Sequence, residues 1–115
     1  MEEATIRPPG VTLRYFDDCP NWQTTLTRLT EVLTVLGDEN PDVTLERVET
    51  PEDAERLRFA GSPTILLNGH DPFEEPGAEY GLACRVYWTP DGPAGSPTTQ
   101  QLREALSAYL DQDTT

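Results

Sequence analysis

Lysine is missing from this chain: all eight basic residues are arginine, against 21 acidic ones, and histidine occurs once. The net charge of −13 makes the surface repel phosphate backbones, which argues against nucleic-acid binding. No apolar run approaches the ~20 residues that a membrane-spanning helix needs, and mean hydropathy is −0.56, so no membrane association is expected. The acidic, polar start is unlike a secretory signal, which points to a cytoplasmic chain. Cysteine is scarce too, with only Cys19 and Cys84. A zinc site normally takes three or four protein ligands, so two cysteines and His70 do not suggest a metal site.

What is present is one domain's worth of periodic apolar blocks in 115 residues. We expect a loose lead-in over 1–10, a folded domain over 11–111 and a frayed tail over 112–115. Val11 to Phe16 (VTLRYF) is β-branched and aromatic and reads as a strand. Cys19 and Pro20 then open a helix whose apolar face is Trp22, Leu26, Leu29, Leu33 and Leu36, ending at Gly37. Val43 to Val48 reads as a second strand, and Thr50-Pro51 starts a short helix with Asp53 in its first turn. Pro63 to Leu67 is a third strand closed by an Asn68-Gly69 turn. After an acidic loop, Leu82 to Trp88 is a fourth strand, expected to pair antiparallel with the third. A last helix follows Ser96 as its cap and Pro97 at its first position, with Leu102, Ala105, Leu106, Tyr109 and Leu110 on one face. The order β-α-β-α-β-β-α predicts an α/β fold, a four-stranded mixed sheet with helices on both faces.

Two local motifs in that order resemble the thioredoxin-like superfamily in its compact glutaredoxin-like form. Asp17-Asp18-Cys19-Pro20-Asn21-Trp22 places a cysteine between the first strand and the first long helix. Gly61-Ser62-Pro63-Thr64-Ile65 resembles the family's cis-proline loop ahead of the third strand. The resemblance implies a reactive Cys19, with Pro20, Trp22, Ser62, Pro63 and Thr64 forming the surface that holds its adduct. It also implies a cis bond before Pro63 and a Ser62 backbone open to an extended peptide or small-thiol adduct. Where dithiol members carry a second cysteine this chain has Trp22, so the resemblance is to single-cysteine members. These need no bound cofactor and use a low-molecular-weight thiol as co-substrate. The glycine, phenylalanine and serine that usually follow their cysteine are replaced here by Pro20, Asn21 and Trp22.

Physical chemistry supports a reactive Cys19 independently. A helix N-terminus offers free N–H groups and about half a positive charge, which lower a thiol from its free pKa of ~8.5. Asp17 and Asp18 oppose this. On that basis Cys19 is expected to be partly exposed. The plainer reading is a buried small hydrophobe at a helix start. Cys84 alternates with Leu82, Val86 and Trp88 and reads as a core thiol. As a resolving cysteine it would have to lie within about 7 Å of Cys19, Cα to Cα. The expected strand starts at the far end of the sheet, so no Cys19–Cys84 disulfide is expected. His70 and Asp71 read as loop residues, and Tyr80, Tyr87 and Trp88 as packing or interface residues rather than a cofactor box. The functional expectations are three: monothiol exchange or mixed-disulfide carriage through Cys19, a non-catalytic binding or scaffolding module, and thiolate capture of a soft metal or electrophile, as in organomercurial-lyase-type proteins. Neither the protein or small-thiol partner nor the oligomeric state is indicated by the residues.

Overall fold

The computed structural model describes residues 10–37 and 41–113, with side chains described to Tyr109. Most of the expected lead-in, part of the 37–42 turn and the last two residues of the tail lie outside the described residues. Three strands form one sheet in the order β2-β1-β3. The central strand β1, Val11–Tyr15, runs parallel to β2, Val43–Arg47, and antiparallel to β3, Thr64–Leu67. The register pairs Val11 with Leu67 and Leu13 with Ile65, so these four side chains share one face. Against that face pack Leu29, Val32 and Leu33 of α1 (Asn21–Val35) and Leu102 and Leu106 of α3 (Thr99–Asp113). Each such burial contributes about 1.5–3 kcal/mol, which makes this cluster the main source of stability. A second cluster joins Val48, Ala54 and Phe59, with Phe16, Leu57 and Leu82 at its border.

The local signals are realised closely. The stripe on α1 is buried at Leu29 and Leu33 and packed at Trp22, Leu26 and Leu36. The helix α2, Pro51–Leu57, is capped by Thr50, whose hydroxyl accepts from the Asp53 N–H at 3.0 Å. Asn68 and Gly69 both have positive φ, and Leu67 and His70 exchange backbone hydrogen bonds across them. The Ser62–Pro63 bond is cis, as expected.

The four-stranded sheet is overturned. Leu82 to Trp88 is not a fourth strand and does not pair antiparallel with β3. Only Tyr87–Thr89 (β4) is extended in a ladder, and it pairs with Gly92–Ala94 (β5) in a separate two-stranded sheet. Within residues 82–86, Cys84 forms an isolated parallel bridge with Ser62, just ahead of β3. The reason lies in the preceding loop. Pro72, Pro76, Gly77 and an acidic run cannot present the alternating, hydrogen-bonding edge that β3 would need as a neighbour. The loop instead covers β3 with side chains. Phe73 packs on the core and meets Tyr87 edge-on at 5.5 Å, and all four residues of β3 are buried.

The start of α3 also differs from expectation. Thr98, not Ser96, caps it: the Thr98 hydroxyl accepts from the Gln101 N–H, and the Gln101 side chain accepts from the Thr98 N–H. This reciprocal box satisfies two donors at once. Ser96 is buried instead, 2.6 Å from the Thr25 hydroxyl, and links the chain before α3 to α1. At the other end α3 continues to Asp113.

Candidate functional site

The ends of β1 and of the loop before β3 meet where α1 begins. Cys19 directly precedes the Pro20 cap position of α1, and among the described residues no side chain caps that helix. In its first turn the Gln23 N–H donates to the Pro20 carbonyl at 3.1 Å. Cys19 is 2% exposed, so the expectation of a partly exposed thiol is corrected. Trp22, one turn on, stacks on Tyr15 with ring centroids 4.3 Å apart, which fixes the helix against the end of β1. Pro20 is exposed.

Cys19 is bonded to Cys84. Their Cα atoms are 5.7 Å apart, across 65 residues of sequence. This overturns two expectations, that no such disulfide forms and that Cys84 is a core thiol, since Cys84 is exposed. The fourth strand whose register would keep the two apart is absent from the main sheet, whose order is β2-β1-β3. The 81–85 segment arrives at the Cys19 end of the sheet and runs parallel beside residues 59–62. Gly81 N–H donates to the Phe59 carbonyl, Ser62 N–H to the Ala83 carbonyl at 2.8 Å, and Arg85 N–H to the Ser62 carbonyl at 2.9 Å. The Ser62 backbone, expected to be open to a partner peptide, is thus filled by the chain's own segment.

Ser62 is buried, and its hydroxyl accepts from the Phe16 N–H at 3.0 Å. Pro63 is buried behind it, and its carbonyl accepts from the Tyr87 hydroxyl at 2.6 Å. Burial pushes the Tyr87 phenol well above its ordinary range, so it remains a proton donor at any physiological pH. The Thr64 hydroxyl donates to the Gly61 carbonyl at 2.6 Å. Ser62, Pro63, Cys19 and Cys84 are therefore brought together, with Thr64 tightening the loop from behind.

Sequence reasoning missed Arg85 and Asp71 as parts of this site. The Arg85 guanidinium, 5% exposed, donates to Asp71 at 2.8 Å, to the Phe73 carbonyl at 2.6 Å and to Thr64, and lies over the Tyr87 ring at 4.7 Å. The detectable signal was an arginine between apolar residues in a chain otherwise rich in exposed charge. His70 is exposed, as expected of a loop residue. Among the described residues no group of three His, Cys, Asp or Glu side chains is arranged to hold a metal ion, and no helix is long and apolar enough to cross a membrane.

Gly61 makes the close approach of the two segments feasible. Its φ is +114°, and a Cβ there would lie 3.0 Å from the Arg85 Cβ and 3.1 Å from the Ala83 carbonyl oxygen. Alanine at this position meets both a disfavoured backbone conformation and a backbone oxygen that cannot yield. Gly61→Ala is expected to cost about 2 kcal/mol or more, read as a lower urea midpoint. A midpoint equal to that of the parent protein would mean that the two segments are not held this tightly.

No family model, curated protein or solved structure matches this chain.

Proposed function

We propose that this protein performs thiol–disulfide exchange through the Cys19–Cys84 pair. The carrying observation is the asymmetry of the bond: its Cys19 side is buried at a helix start, and its Cys84 side lies on an exposed segment. Exchange is governed by access to the attacked sulfur and by the leaving thiol's pKa. Both favour attack at Cys84. An external thiolate forms a bond to the Cys84 sulfur, the Cys19–Cys84 bond breaks, and its electron pair leaves on Cys19. The N-terminal end of α1 stabilises that thiolate. A second external thiol, deprotonated, then displaces the adduct from Cys84, giving the dithiol protein and an oxidised small thiol. Run backwards, the dithiol reduces a partner disulfide.

The motifs shared with the thioredoxin-like superfamily, the cysteine after β1 and the Ser62–Pro63 loop, support this reading. The monothiol form is revised, because Cys84 supplies the internal partner that Trx-type dithiol members place three residues after the first cysteine. A low-molecular-weight thiol or a protein dithiol remains the proposed co-substrate. A disulfide that cycles in this way is compatible with a cytoplasmic location, where persistent structural disulfides are rare. A second reading, a non-catalytic module stapled by its disulfide, is favoured by one observation: the bond ties residue 84, in a segment outside both named ladders, to the start of α1 across 65 residues.

Single-turnover reaction of the reduced protein with a small aromatic disulfide distinguishes these. The Cys19→Ser variant is expected to accumulate a mixed disulfide on Cys84, detected by mass, while the unsubstituted protein passes through it to the internal disulfide. Accumulation on Cys19 in Cys84→Ser, with Cys19→Ser inert, would reverse the assigned roles. Reaction no faster than that of a free cysteine peptide in every case would leave the staple reading.

A further inference from the structure

Once the disulfide opens, the two sulfurs separate only if the backbone lets them. The backbone has its own ties. Cys19 N–H donates to the Phe16 carbonyl at 3.0 Å, Phe16 N–H to the Ser62 hydroxyl at 3.0 Å, and Ser62 binds Ala83 and Arg85 on either side of Cys84. A short path of hydrogen bonds thus joins the two cysteines through Phe16 and Ser62, without the sulfur bridge. Beyond it, the residue after Cys84 is pinned by its side chain: Arg85 reaches Asp71, Phe73 and Thr64 and is nearly fully buried. Asp71 is itself fixed, since its other oxygen accepts from the Phe73 N–H at 2.8 Å.

We infer that Arg85, Asp71 and Ser62 are positioning residues for the dithiol, holding Cys84 beside Cys19 in the reduced protein and thereby setting the redox equilibrium of the pair. The equilibrium for forming an internal disulfide rises with the effective concentration of one thiol at the other. A flexible tether gives roughly millimolar values, whereas groups held in bonding geometry reach about 10⁵ M or more. The Arg85 clamp decides where in that interval this pair falls. It makes the dithiol a stronger reductant and the disulfide harder to open. This rests on the exchange reading for its biological use, but the equilibrium itself is measurable without any turnover.

The test is equilibration with oxidised and reduced glutathione, in which the dithiol loses two electrons and two protons and one glutathione disulfide becomes two thiols. Asp71→Ala and Arg85→Ala are expected to lower the equilibrium constant at least tenfold, a potential about 30 mV less reducing. Ser62→Ala, which removes the acceptor for Phe16, is expected to lower it several-fold. Val32→Ala, in the core beneath α1, weakens the fold without touching the 81–87 segment and is expected to stay within threefold. Circular dichroism of each reduced protein confirms that it is folded. Should an alanine variant unfold on reduction, Asp71→Asn and Arg85→Lys take its place under the same criterion. Folded clamp variants within threefold of the parent constant, or a Val32→Ala shift as large as theirs, would overturn the inference. Loss of exchange activity with the constants ordered as expected would instead count against the exchange reading alone.

Discussion

Cys84→Ser is expected to lower the stability of the oxidised protein by about 4 kcal/mol, the largest effect of any single substitution considered. The bond closes a loop of 65 residues. In the chain-entropy account, a cross-link of that span restricts the unfolded ensemble by an amount between those for 15- and 100-residue loops, about 3 and about 4.7 kcal/mol. Serine at the exposed position 84 adds little cost of its own in the folded state. The native contacts of the segment, through Ser62 and Arg85, survive the substitution, so the loss comes mainly from the unfolded chain gaining freedom. At a urea slope of about 1–2 kcal/mol/M, suited to a chain of this size, the midpoint should fall by roughly 2–4 M. Adding a dithiol to the unsubstituted protein should produce the same shift. A change under about 1 kcal/mol in both experiments would show that the bond does not constrain the native chain.

Asp71→Ala is expected to cost about 3 kcal/mol, and more than Arg85→Met. The order follows from what each substitution leaves behind. Without Asp71, the Arg85 guanidinium stays 5% exposed, with its charge uncompensated and only neutral oxygens as partners. Breaking a buried pair from one side typically costs 3–5 kcal/mol. The lower end applies here, because the Phe73 carbonyl and the Tyr87 ring face continue to stabilise the cation. Without Arg85, the Asp71 carboxylate is 16% exposed, keeps the Phe73 N–H and can draw in water. Methionine also refills the volume beside Tyr87. The double variant Asp71→Ala/Arg85→Met should therefore lose less than the two single losses added together, the mark of direct coupling. Chemical denaturation of the four proteins checks this. Additive losses, or a larger loss for Arg85→Met, would mean that the ion pair is not what holds this segment.

Local pattern accounts for what was readable in the chain. The stripe from Trp22 to Leu36, the Thr50-Pro51 cap and the Asn68-Gly69 turn are each specified within a few residues, so composition and spacing suffice to place them. The cis Ser62–Pro63 loop is a different case: it was expected from the motif resemblance and not from periodicity or caps. Ser96 misled because Ser-Pro is itself a strong start signal, whereas the Thr98–Gln101 box two residues later satisfies two donors and prevails. Leu82 to Trp88 misled because it does alternate, but with the opposite face inward: Arg85 and Tyr87 are buried toward a loop and a carbonyl, whereas Cys84, Val86 and Trp88, read as the core set with Leu82, are exposed.

Helices α1 and α2, the three strands of the main sheet and the placing of Cys19 ahead of a helix were legible in the residues alone. They were legible because periodicity, caps and turn residues act over distances of one or two turns. That Cys84 meets Cys19, that Ser62 is covered by residues 83–85 and that Arg85 and Asp71 belong to the site emerges only in three dimensions. Those contacts depend on the direction from which residues 70–85 return to the sheet. That direction is set by a buried arginine finding its acceptors and by a glycine that lets two backbones touch, neither of which has a period to read.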